Sequence, residues 1–152
     1  MLQQILQFFE SPTAPRQEVD PAERVRVAAC ALLVEMARID DDFSEIEEQR
    51  IVEILCDHYG LSKTHARELV AAAQEELRDS VHLWRFTRLI NENYSTGEKL
   101  KVIEMVWRVV YADERLDKYE DQLVHRLAKL LNLTHKQLID AKMKVLREDP
   151  LA

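Results

Sequence analysis

The chain has 152 residues, of which 47% are hydrophobic and 32% charged, with only 2 Gly and 4 Pro. This is the make-up of one helical domain with one core, large enough to fold without a disulfide or a structural metal. So few glycines and prolines exclude a turn-rich sandwich or barrel and any Gly-rich phosphate cradle. The 28 Asp and Glu outnumber the 21 Lys and Arg, for a formal net charge of -7, which argues against nucleic acid as a partner.

In chain order, Leu2, Ile5, Leu6 and Phe9 fall at helical spacing and predict a short amphipathic helix within residues 1–10. This segment has neither the basic start nor the cleavage site of a signal peptide. Residues 11–19 hold two of the four prolines and read as a linker, which leaves 20–152 as the helical domain. The domain opens with Asp20-Pro21-Ala22-Glu23: a capping Asp, a proline at the first helical position and a Glu three residues after the cap. The same logic recurs at Ser44/Glu47, Ser95/Glu98, Asp117/Glu120 and Thr134/Gln137. Helices are expected near 2–9, 21–39, 44–59, 62–77, 80–93, 96–112, 117–131 and 135–148, with Gly60 ending the third.

Core stripes are expected at Val25, Ala28, Ala29, Leu32, Met36 and Ile39, and at Val102, Met105, Val106, Val109 and Val110, with Trp84 and Trp107 as large core residues. The longest apolar run, Val27 to Val34, is too short to span a membrane, so no membrane insertion and a cytoplasmic location are expected. Cys30 and Cys56 lie in apolar patterns without CxxC spacing and read as reduced core thiols. Lys142, Lys144 and Arg147 form a basic stretch that reads as a solvated helix face.

The chain contains an internal repeat. Leu32 to Leu55 lies over Met105 to Ala128 without a gap, so that Asp40 meets Asp113, Asp41 meets Glu114, Ser44 meets Asp117 and Glu47 meets Glu120. After a one-residue gap, Gly60-Leu61-Ser62 meets Asn132-Leu133-Thr134. A duplicated helix-turn-helix unit explains this, and the expected fold is an all-α bundle of seven to eight helices.

Capping preferences account for Glu47 and Glu120. They do not account for Asp40 and Asp113, which end their first helices where the macrodipole disfavours negative charge. Clustered carboxylates on a turn can supply oxygen ligands to a divalent cation, calcium or a similar ion. Asp-x-x-apolar-x-x-x-Glu is the spacing of the second half of an EF-hand loop. The first half is missing, because Met36 and Arg38, and Val109 and Tyr111, stand where that loop needs acids, and Asp41 and Glu114 replace its glycine. A complete EF-hand is excluded, which leaves weak coordination or coordination shared between the two turns. The candidate ligands are Asp40, Asp41, Glu47, Asp113, Glu114 and Glu120.

The stretch Ala29-Cys30-Ala31-Leu32-Leu33-Val34-Glu35 running into Asp40 to Glu48, with Trp84-Arg85-Phe86-Thr87 and Trp107-Arg108-Val109-Val110-Tyr111-Ala112-Asp113, resembles the tellurite resistance protein TerB-like family. The resemblance covers about residues 20 to 148. A related domain occurs in a DnaJ-type co-chaperone. The resemblance implies a compact helical fold with duplicated hairpins and a non-enzymatic, stress-associated role. It also implies an acidic turn proposed to bind metal and charged surfaces proposed to bind partner proteins. Carried over by position, the family's acids are Asp40 and Glu47, then Asp113 and Glu120. The chain departs from the family pattern at Asp41 and Glu114, where glycine is usual.

Catalysis has little support. None of His58, His65, His82, His125 and His135 forms a Glu-x-x-His or His-x-x-x-His arrangement, and no nucleophile elbow occurs. Asp121 and His125, four apart on one helical face, read as a surface or core pair before they read as a shared ion site. The alternative function is an adaptor that holds a protein partner through the acidic surface or the N-terminal helix, without metal.

Overall fold

Side-chain caps set the helix starts. Asp20 accepts from the Ala22 N–H at 3.0 Å and opens α1, Pro21–Ala37. Ser44 and Glu47 form a full capping box at the start of α2, Glu45–Tyr59. The Ser62 hydroxyl accepts from the His65 N–H at 3.1 Å and opens α3, Lys63–Asp79. Ser95 and Glu98 cap each other's backbone at α5, Thr96–Ala112, as do Thr134 and Gln137 at α7, His135–Glu148. The remaining helices are α4, Leu83–Asn93, and α6, Lys118–Leu130. The computed structural model of the protein describes residues 20–38, 44–79, 83–112 and 118–148, side chains excepted at 79 and 118–120. The expected N-terminal helix, the 11–19 linker and the Asp117/Glu120 cap lie outside these residues. The described residues form an all-α bundle without strands.

The duplication is visible in the packing. In the trio α1–α2–α3 the first helix packs most extensively on the third, and α5–α6–α7 repeats this arrangement. The two first helices pack on each other, and α4 joins the trios by packing on α1 and α6. Pairs superimposed by the sequence repeat share burial: Leu32 with Met105, Leu33 with Val106, Val34 with Trp107, Ile51 with Val124, and Leu55 with Ala128.

The second and third helices of each trio are joined through one left-handed residue, Gly60 at φ 68° and Asn132 at φ 61°. Gly60 donates to the Cys56 carbonyl at 2.9 Å. Asn132 and Leu133 donate to the Lys129 and Ala128 carbonyls at 3.0 and 2.9 Å, the paired bonds of a Schellman motif. A Cβ at Gly60 would touch nothing within 4 Å, so only backbone conformation penalises a side chain there. Gly60→Ala should therefore cost about 1 kcal/mol in urea unfolding, with no change in fold.

One expectation needs extension and one needs correction. The α1 stripe is buried as expected at Val25, Ala28, Ala29, Leu32 and Met36, but burial extends beyond it to the whole middle of the helix: every residue from Val27 to Val34 is 0% exposed, because α2, α3, α4 and α5 all pack on it. Trp84 is not a core residue but is 51% exposed. The buried stripe of α4 runs through Leu83, Phe86, Thr87 and Ile90, and Trp84 is turned about 100° from Leu83. Trp107, by contrast, is fully buried and donates from Nε1 to the Leu138 carbonyl at 3.1 Å. Cys30 is buried and Cys56 half-buried, both as free thiols, and burial pushes the Cys30 thiol far up.

Asp20 caps α1, but Glu23 does not complete the box. Glu23 is buried, with its side chain 9% exposed, and its carboxylate shares a hydrogen bond with His65 Nε2 on α3, with Arg26 Nη1 3.4 Å away. The Arg26 guanidinium lies 5.4 Å from the centre of the Tyr59 ring, and the Tyr59 hydroxyl meets that of Tyr94 at 2.9 Å. This network ties α1, α2, α3 and the residue that follows α4 together at one end. Burial raises the pKa of both tyrosines.

Candidate functional site

The acidic segments follow the first helix of each trio. The first lies between Arg38 at the end of α1 and Ser44 at the start of α2. Of the candidate ligands, only the Glu47 side chain is among the described residues. Its Oε1 accepts from the Ser44 N–H at 3.3 Å and the Ser44 hydroxyl at 3.1 Å, while Ser44 Oγ accepts from the Glu47 N–H at 3.2 Å. Asp40, Asp41, Asp113, Glu114 and the Glu120 side chain lie outside the described residues.

The flanks of the two segments meet through Arg50. This residue of α2 donates from Nη1 to the carbonyl of Ala112, the last residue of α5. A cation at a helix C-terminus is favourable both as a donor to an orphan carbonyl and as a charge against the dipole. Arg50 lies six residues after Ser44, about 9 Å along α2. The helix that leaves the first segment thus holds the carbonyl from which the second begins. Sequence reasoning missed Arg50, and no local signal marks it, since its partner is 62 residues away.

Around this end the first turn of α2 presents Glu45 and Ile46, the latter 63% exposed. Glu45, Glu48 and Glu53 of α2 face Lys63 and Arg67 of α3 across a surface groove floored by Val52. Arg38 is held by Glu35 at 3.2 Å. Among the described residues, no group of three or more His, Cys, Asp or Glu converges as a metal would require.

Farther along α2, Arg108 of α5 bridges Asp57 at 2.9 Å and Glu148 at 3.7 Å. Lys144 reaches Glu104 at 3.2 Å, and Lys142 lies 5.5 Å from the Trp107 ring centre, so two of the three residues of the basic stretch are engaged within the fold. Beside this network, burial first, and then Lys101 and Arg108, lower the pKa of His58. A lowered folded-state pKa means that the unfolded chain binds more protons, so stability contributed by neutral His58 is lost as pH falls below the ordinary histidine value near 6.5. His58→Gln should flatten the fall in melting temperature on the acid side of pH 6.5.

The architecture is a duplicated helical hairpin bundle, with each acidic segment between the first and second helices of a trio. The family model described as Tellurite resistance protein TerB matches residues 26–143, and the chain belongs to that family. No curated protein and no solved structure matches the chain. No helix among the described residues is long and apolar enough to cross a membrane.

Proposed function

We propose that the protein is a non-enzymatic, cytoplasmic, stress-associated member of the TerB family whose two acidic segments take a divalent cation of the hard, oxygen-preferring class, calcium or similar. The observation that carries this reading is the Arg50 to Ala112 hydrogen bond, which brings the flanks of both segments to one side of the bundle. Each segment carries the sequence spacing of half a calcium loop, and two such halves whose flanks meet could share the six to eight oxygens that calcium takes. Binding would relieve repulsion among the carboxylates and so stabilise the fold. Millimolar calcium should therefore raise the melting temperature, and Asp40→Asn with Asp113→Asn should abolish the gain. An unchanged melting temperature in the wild type counts against the reading.

A second reading, an adaptor without metal, is favoured by Ile46. This large apolar side chain is exposed beside Glu45, Glu47 and Glu48, an anchor within an acidic rim suited to a basic partner. Ile46→Ser should leave any calcium response intact, which separates the two readings.

A further inference from the structure

The Schellman turn at Asn132 folds the start of α7 back beside the second half of α6. It sets the His135 ring against the His125 ring, with centroids 5.6 Å apart and planes at 28°. His125 Nδ1 lies 2.8 Å from the Asp121 carbonyl oxygen and 3.7 Å from its carboxylate. A carbonyl can only accept, so Nδ1 carries a proton, and in the neutral ring Nε2 holds the free lone pair. This is the arrangement in which a protein presents an imidazole to a metal. The His125 ring is held by its bond to the Asp121 carbonyl and 36% exposed, while His135 is exposed, so rotation of the His135 side chain can turn one of its nitrogens toward an ion on His125 Nε2, at the ~2.1 Å that coordination requires.

We propose that His125 and His135 form a two-imidazole site for a borderline divalent cation such as Zn²⁺, Ni²⁺ or Cu²⁺, with water completing the shell. The ligand type sets its selectivity. Arg126 and Lys129 border the same cleft as His125, Asp121 and Gln122, while Lys136 is held by Asp140 at 2.9 Å. These charges weaken every divalent ion alike, but calcium and magnesium need several oxygen ligands and the cleft offers one carboxylate, Asp121, whereas zinc, nickel and copper gain coordination energy from imidazole nitrogen. The site shares no ligand with the acidic segments and stands whether or not they bind calcium.

The test is a Zn²⁺ titration of the full chain without an affinity tag, read by calorimetry and by histidine ring resonances. A saturable phase that shifts the His125 and His135 rings and leaves His58 and His65 unmoved is expected. His135→Ala should weaken this phase roughly tenfold or more with an unchanged circular dichroism spectrum, and Asp40→Asn with Asp113→Asn should leave it intact. Unchanged zinc affinity in His135→Ala, shifts centred on other residues, or no saturation by millimolar zinc would overturn the proposal.

Discussion

Trp107→Ala should lower the unfolding free energy by about 4 kcal/mol, the largest effect expected of a single truncation in this chain. The indole is 0% exposed, stacks on Tyr111 at 5.8 Å between centroids, and fixes α5 to α7 through its hydrogen bond to the Leu138 carbonyl. Lys142 covers its ring from α7. Alanine leaves a cavity at the contact that holds the second trio together. Because domains of this size are stable by about 5–15 kcal/mol, the melting temperature should fall by about 10 °C. Trp107→Phe keeps most of the volume and loses the donor, so it should cost about 1–2 kcal/mol. Urea unfolding of the two variants separates the packing contribution from the hydrogen bond.

His65→Ala should cost about 2 kcal/mol, and the reason lies in Glu23. Removing the hydrogen-bond partner of a buried carboxylate leaves that acceptor undersatisfied, a loss of about 1–3 kcal/mol. Here His65 and Arg26 are each about a quarter exposed, and Arg26 still faces the carboxylate at 3.4 Å, so the loss is reduced by solvent and by the remaining partner. Glu23→Leu removes the buried charge itself and should cost less than His65→Ala. Urea unfolding of the two single variants and the double checks the coupling: adding Glu23→Leu should recover part of the His65→Ala loss.

These two sites show where the sequence was readable and where it was not. Caps are local chemistry, so Ser44/Glu47, Ser95/Glu98 and Thr134/Gln137 could be read directly, and each forms its box. Asp20/Glu23 carries the same pattern, yet Glu23 turns to a histidine 42 residues away, a contact that no local spacing announces. The repeat was legible because the same backbone geometry recurs: Gly60 and Asn132 are the residue types that tolerate a left-handed conformation, and both adopt it. Helical periodicity separated buried from exposed faces for most of α5, but it failed for Trp84, where an aromatic beside the stripe resembles a member of it. It also understated α1, since an apolar run gives no count of the helices that will surround it. At the candidate site, the acids were legible as a pattern, whereas the contact between α2 and the end of α5 depends on Arg50, an ordinary arginine until the fold brings α5 to it.

The proposed function has the two acidic segments take one divalent cation between them. The most direct test is a calcium, magnesium and zinc titration of the isotope-labelled protein, followed through its amide resonances. Saturable calcium shifts centred on both Asp40 to Glu48 and Asp113 to Glu120, moving with one midpoint, are the predicted result. Only diffuse shifts that scale with ionic strength would contradict cation binding and leave these acids as caps and a docking surface.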